Sequence, residues 1–248
     1  MITWLEGKIV NRKQWCADLY SIKIKTEPLQ FVAGQFVNVG LDHDDVKIQK
    51  PYSLVNAPSD PLLEIHLNTV KGGNFSPLLT SLFEGDTVYI SNRSSGLLTL
   101  NEVSDKASNL WFFATGTGVG PFISILNTEE PWLRFDKIIL CYSVRKAEEM
   151  AYREDLKGLL KRHPNKFIFV PFITREPALD AIHSRITTFL GSGALESYLG
   201  IELTAESSHV MLCGNSAMIL ETTALLQQKG LRLHNRREPG HISTEKYF

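Results

Sequence analysis

Lys50-Pro51-Tyr52-Ser53 brings a cation, an aromatic ring and a hydroxyl together in one short segment. Downstream, His66-Leu67-Asn68-Thr69-Val70 reads as a strand and is followed by Gly72-Gly73-Asn74-Phe75-Ser76-Pro77. A flavin dinucleotide needs an aromatic face for its ring, a donor near N5, a positive charge for its pyrophosphate, and free N–H groups at a helix start. These segments supply all of them. Taken singly, each has a plainer reading: a Tyr-Ser pair packs within a strand, and Ser-Pro caps a helix. Their combination and their order point to a flavin.

A second set lies further along the chain. Ala114-Thr115-Gly116-Thr117-Gly118-Val119-Gly120-Pro121 follows an apolar strand and opens an apolar helix, Phe122 to Leu126. Glycines let a backbone approach a pyrophosphate closely, and the helix start attracts its charge. The spacing is Gly-x-Gly-x-Gly-Pro rather than Gly-x-Gly-x-x-Gly, so a simple tight turn and a phosphate cradle fit it equally. In a βαβ nucleotide site, a carboxylate roughly 20 residues after the glycines binds the ribose hydroxyl of NAD, whereas an arginine there accommodates the extra phosphate of NADP. Arg145 ends the second strand of this half, Arg175 ends the next, and Arg185 follows in the connection. Each alone reads as a solvated side chain; the three together favour NADP.

The elements that must position these residues fall into two halves. Up to about residue 92 the apolar pattern has period two, as in Leu63, Ile65 and Leu67 alternating with Glu64, His66 and Asn68. Glycines and prolines punctuate the runs, which predicts an antiparallel barrel of about six strands. One short helix is expected from Pro77 to Phe83, with Ser76 as its N-cap. From residue 109 the rhythm changes. Apolar runs at Leu110 to Ala114, Ile138 to Tyr142, Phe167 to Phe172 and Val210 to Cys213 alternate with helical segments such as Ala147 to Leu160 and Ser216 to Lys229. Alternating βα units imply a parallel sheet covered by helices. The polar stretch Asn101 to Asn109 is the natural boundary, giving domains of 1–101 and 102–248.

Composition narrows the function classes. A chain of 248 residues with 43% apolar content suits two cores. Charged or small residues interrupt every hydrophobic run, so no membrane span is expected, and the N-terminus has no signal-like run. The 3 cysteines, Cys16, Cys141 and Cys213, are widely separated in apolar surroundings, which suits a reducing compartment and hence the cytoplasm. An iron–sulfur cluster needs about four organised thiolates, and a zinc site usually shows a CxxC-like pair. Neither is present, so no metal is expected and any one-electron carrier must be another molecule. With 26 basic and 27 acidic residues, nucleic-acid binding has no compositional support. Basic residues do gather locally, at Arg153, Lys157, Lys161, Arg162 and Lys166 and again at Arg232, Arg236 and Arg237. They form either a solvated face or a docking surface for an acidic carrier.

The two halves together resemble the ferredoxin–NADP reductase family, and more closely its bacterial ferredoxin/flavodoxin reductases. The likeness rests on the RxYS-like segment at residues 50 to 53, the GxxS-like segment at 73 to 76, the GTGVGP turn, Cys213-Gly214-Asn215, and the Tyr247-Phe248 terminus. It implies a two-domain chain: an N-terminal six-stranded antiparallel β-barrel of Greek-key type that binds FAD, and a C-terminal Rossmann-like α/β domain that binds NADP(H). It implies hydride transfer between NADPH and flavin N5, with one-electron exchange to a ferredoxin or flavodoxin, in a monomer. By the same likeness, Tyr52 stacks on the flavin and Ser53 bonds near N5. Lys50, Pro51, His66, Leu67, Asn68, Thr69, Asn74, Phe75, Ser76 and Thr117 line the rest of FAD, with Tyr247 over the opposite face and Phe248 beyond it. Cys213 sits by the nicotinamide, Gly214 and Asn215 beside it, and Arg145, Arg175 and Arg185 clasp the 2′-phosphate. Ser53, Cys213 and Glu245 shape the reacting site and manage the flavin proton. One position departs from the pattern: Lys50 stands where the family generally has arginine, keeping the charge but losing the bidentate fork.

Two alternatives remain at this level. The same modules build the reductase component of an oxygenase, although that usually carries a fused iron–sulfur domain. A chain that had lost its flavin would be a binding scaffold, and would be colourless where a reductase is yellow.

Overall fold

A computed structural model describes residues 3–44 and 46–246. The chain packs into two units: one is built from the described residues up to Thr99 together with Gly120–Thr128, the other from Leu100–Val119 and the residues from Glu129 onward.

The first unit is a six-stranded antiparallel sheet of β1 (Trp4–Cys16), β2 (Leu19–Lys25), β3 (Phe36–His43), β4 (Val46–Ser53), β5 (Leu63–Asn68) and β6 (Thr87–Ser91), in the order β4-β3-β6-β1-β2-β5. The alternation read in β2 and β5 turns one set of side chains inward, and Ile22, Ile24, Val37, Val39, Ile65 and Ile90 are fully buried there. Leu54 bridges Ile65, and the Val55 N–H donates to the Glu64 carbonyl at 2.8 Å. That junction joins the outer strands β4 and β5 and closes the barrel. Helix α1 (Ser76–Ser81) follows β5. Helix α2 (Gly120–Leu126) is wholly buried and packs with this unit, its Ser124 hydroxyl donating to the Asn56 carbonyl at 2.7 Å.

The second unit centres on a five-stranded parallel sheet of β7 (Asn109–Thr115), β8 (Lys137–Val144), β9 (Phe167–Ile173), β10 (Ser208–Gly214) and β11 (Ile242–Lys246), ordered β11-β10-β7-β8-β9. Every residue of β10 is buried, as expected of a strand covered on both faces. Trp111, Phe113, Val170 and Leu212 form the core with residues of the surrounding helices. The helices that contribute to this core are α5 (Ile186–Gly191), α6 (Ala194–Leu199) and α7 (Ser216–Gln228); α3 (Glu130–Arg134) and α4 (Arg153–Arg162) belong to the same unit. Among the described residues no helix is long and apolar enough to cross a membrane.

Three local expectations are corrected. Phe75 occupies the N-cap position of helix α1, with no side-chain cap, and the helix ends at Ser81, so Ser76 is its first residue rather than its N-cap. The Ser76 hydroxyl instead accepts the Val70 N–H at 2.9 Å, closing the loop back on itself. The predicted helix from Ala147 is a 3-10 turn over Ala147–Glu149, and α4 starts only at Arg153. One of the turn's own side chains and one from further along the chain hold it: Glu149 accepts the Arg145 N–H and Glu176 accepts the Ala147 N–H. Strand β11 has no counterpart among the predicted elements.

Candidate functional site

In the first unit the barrel closure gathers the first set of residues. Lys50 and Pro51 are exposed on β4, Tyr52 is half-buried, and Ser53 is buried where the strand ends. The Tyr52 ring lies 6.0 Å from the ring of buried Phe75 at a 31° tilt, so Phe75 backs it. Burial pushes the Tyr52 phenol up to about 12, so it stays protonated throughout the physiological range. Asn68 and Asn74 are exposed, and Leu67 is buried. Thr69 is committed to the fold: its N–H donates to the Asp18 carbonyl at 2.7 Å and its hydroxyl meets that of Thr80 at 3.0 Å.

His66 occupies a different setting from its neighbours. It is 5% exposed, and its Nδ1–H donates to the Tyr20 carbonyl at 3.0 Å, with the Ser21 hydroxyl equally near. The Trp15 indole meets its ring edge-on. Burial lowers its pKa to about 4, so the imidazole is neutral. Its side chain therefore serves the barrel, leaving the backbone of this stretch as what it could offer a ligand.

In the second unit the glycine-rich turn and the end of β10 are built as one piece. A Cβ on Gly118 would lie 2.4 Å from the Cys213 carbonyl oxygen and 2.8 Å from the Gly214 Cα, so only glycine allows the two backbones to meet. Gly214 has φ of 129° and is pressed equally closely against Thr115. The Thr115 hydroxyl accepts the Asn215 N–H at 2.7 Å, and the Asn215 side chain caps α7 by accepting from Ala217 and Met218. Asn215 thus organises the turn, and Thr117 stands partly exposed on it. Parallel pairing sets Glu245 of β11 opposite Cys213 of β10. Cys213 is fully buried and Glu245 half-buried.

The three arginines share one region. Beyond the paired ends of β8 and β9 the Arg175 N–H still donates to the Arg145 carbonyl at 2.9 Å, holding the two residues side by side. The loop after Arg175 returns through Ile182, which bridges Phe172, and Arg185 then stands at the N-cap position of α5 without a side-chain cap. All three side chains are exposed, and none has an ion pair among the described residues. Tyr247 and Phe248 lie outside the described residues.

The oxidoreductase FAD-binding domain family matches residues 6–95, and the oxidoreductase NAD-binding domain family matches residues 112–223. The flavodoxin/ferredoxin–NADP reductase of Shigella flexneri is 38% identical over all of both chains, and that of Escherichia coli K12 is 37% identical, again over all of both. The chain belongs to the flavodoxin/ferredoxin–NADP reductase family. A crystal structure of a ferredoxin NADP+ reductase from Neisseria gonorrhoeae with bound FAD and NADP superposes with a TM-score of 0.93 at 32% identity, covering 99% of each chain.

For a reductase of this family the residues present fit both dinucleotides. A half-exposed tyrosine backed by phenylalanine offers a flat apolar face, and three exposed guanidinium groups without ion pairs among the described residues suit a phosphate dianion. Sequence reasoning passed over Thr115, although a hydroxyl opening a glycine-rich turn was a usable signal. It also passed over Glu102, Glu176 and Asp180, whose partners stand too far along the chain to be read locally.

The basic clusters are less available than their sequence suggests. Arg153 pairs with Asp180, Lys157 with Glu154, and Arg236 with Glu102. The Lys166 ammonium donates to the Trp132 and Phe135 carbonyls at 2.7 and 2.9 Å.

Proposed function

We propose that this chain is an FAD-dependent ferredoxin/flavodoxin–NADP reductase, exchanging a hydride with NADPH and single electrons with a ferredoxin or flavodoxin. Bound FAD supplies the conversion between these currencies, because nicotinamide moves electrons in pairs and such carriers take one at a time. What carries the reading is the Tyr52-Ser53 pair at the barrel closure, in a chain that matches reductases from end to end.

The chain's own residues then have defined tasks. Tyr52 presents its ring to the flavin and Phe75 keeps that ring from turning away. Ser53 offers a hydroxyl to the flavin edge, and Lys50 supplies charge for the pyrophosphate, alongside the backbone of Leu67 to Asn68 and of Asn74 to Ser76. In the second unit Cys213 and Glu245 stand on neighbouring strands, where the thiol shapes the nicotinamide pocket and the carboxyl holds or moves the flavin proton. Arg145, Arg175 and Arg185 select NADPH through its 2′-phosphate. Exposed Lys161, Arg162, Arg232 and Arg237, with the partly neutralised Lys157, are the cations of these clusters that remain for docking an acidic carrier. The protein works as a cytoplasmic monomer.

Purified protein should be yellow, release FAD on acid precipitation, and reduce a panel of ferredoxins and flavodoxins with NADPH. Colourless protein that takes up no FAD would favour the scaffold reading. Release of FMN alone would overturn the choice of flavin.

A further inference from the structure

Four acidic residues close in sequence to Arg145, Arg175 and Arg185 have partners other than these arginines' side chains among the described residues. The Glu149 carboxylate accepts the Arg145 backbone N–H at 2.9 Å, and that of Glu176 accepts the Ala147 N–H at 2.7 Å. Asp180 pairs with Arg153 at the start of α4, and Glu148 with Lys146. A carboxylate left loose beside an exposed guanidinium would compete with any anionic ligand for it. Here the Glu149, Glu176 and Asp180 carboxylates are spent on loop architecture, which leaves the three guanidinium groups for an incoming anion.

The same bonds fix the relative placement of the loops. Glu176 directly follows Arg175, so its bond to Ala147 ties the Arg175 loop to the turn that follows Arg145. Asp180 lies midway between Arg175 and Arg185, and its pairing with Arg153 anchors that excursion to α4. Both anchor points lie within the second unit, Ala147 opening the 3-10 turn after β8 and Arg153 opening α4. Side chains that must converge on one phosphate lose least on binding when the loops carrying them are already held.

We propose that Glu176 and Asp180 are positioning residues for nucleotide choice, holding the Arg145, Arg175 and Arg185 loops at the spacing a 2′-phosphate requires. This rests on the reading of those arginines given above. Glu176 acts through its carbonyl-type acceptor on the Ala147 N–H, so glutamine preserves the tie and alanine breaks it. Asp180 acts through its charge-assisted bond to Arg153, which alanine removes.

The test uses the full-length holoprotein. Calorimetric binding of 2′,5′-ADP and of 5′-ADP is measured together with KM for NADPH and NADH, for Glu176→Ala, Glu176→Gln and Asp180→Ala. Glu176→Ala and Asp180→Ala should each weaken 2′,5′-ADP and raise KM for NADPH by about tenfold, the loss expected when one charge-assisted contact is forfeited. The 5′-ADP and NADH values should shift by less than about twofold, and Glu176→Gln should behave as the unaltered protein. Equal weakening of both nucleotides, no weakening, or a glutamine variant as impaired as alanine would overturn the proposal. Arg175→Ala serves as the control. If it leaves 2′,5′-ADP affinity unchanged, the phosphate reading itself fails and the positioning role falls with it. If it weakens 2′,5′-ADP while the Glu176 and Asp180 variants do not, only the positioning role is lost.

Discussion

Replacing Glu102 by alanine should loosen the C-terminal strand of the second unit. The Glu102 side chain is only 12% exposed and accepts from His234 Nε2 at 3.1 Å and from both Arg236 Nε and its terminal nitrogen at 3.2 and 3.1 Å. His234 Nδ1 accepts the Gly240 N–H, so the ring proton sits on Nε2 and points at the carboxylate. Alanine would leave that donor without its acceptor in a ring 9% exposed, at a cost of about 1–3 kcal/mol. Arg236 is 71% exposed, so water replaces its partner and its loss adds little. A total near 2 kcal/mol corresponds to a fall in Tm of about 4–8 °C for a unit of this size. The effect should be local as well. The His234 N–H donates to the Ile242 carbonyl and the Ile242 N–H to the Arg232 carbonyl, so the 232–242 segment leads β11 into register. Amide hydrogen exchange should therefore accelerate in Ile242–Lys246, with β8 and β9 unaffected. The hydrogen bond from His234, and next Arg236, hold the Glu102 carboxyl below the usual carboxylate range against the opposing effect of burial. Its contribution is therefore complete above the unfolded carboxylate pKa of about 4.3 and disappears as pH falls through the lower folded value. A variant within 1 °C of the parent, or with unchanged exchange in β11, would refute this account.

Alanine at Arg145, Arg175 or Arg185 should weaken NADPH about tenfold and leave NADH nearly unchanged, read as separate KM values; equal effects on both would show that these side chains do not meet the phosphate. Gly118→Ala drives a Cβ against backbone that cannot turn aside, so the second unit should lose about 1–3 kcal/mol in denaturant unfolding and NADP⁺ affinity should fall with it. His66 and His209 have pKa values lowered by burial to about 4 and about 3, so the unfolded chain binds protons below about pH 6.5 that the folded chain refuses. Stability should be full above that pH and fall by up to about 1.4 kcal/mol per pH unit for each histidine down to those values; His66→Gln should flatten the fall, and an unchanged slope would discount its role. Reduction of an acidic carrier should slow steeply with added salt while reduction of a small neutral dye does not, and matching salt responses would return the exposed lysines and arginines to plain solvation.

The segments proposed to carry the chemistry could be read from the sequence because each is local: Lys50 to Ser53, the glycine-rich turn and the strand-end arginines all lie within single runs of chain. Period-two alternation announced the barrel, and continuous apolar runs between helical stretches announced the parallel sheet, since both patterns follow from which faces of an element are buried. Four outcomes depended on tertiary structure. Barrel closure came from the Leu54 bridge to Ile65, and the placing of Glu245 opposite Cys213 came from the register of a strand that the sequence does not signal. Ser76 reads locally as a cap, but the loop's own Val70 N–H claimed its hydroxyl and the helix starts without a side-chain cap. Glu102 looks like an ordinary surface acid until the fold brings His234 and Arg236 to it across more than 130 positions. Side-chain periodicity records only whether a residue faces a core; which distant donor meets which acceptor is decided when the chain closes its long loops, and no local pattern encodes it.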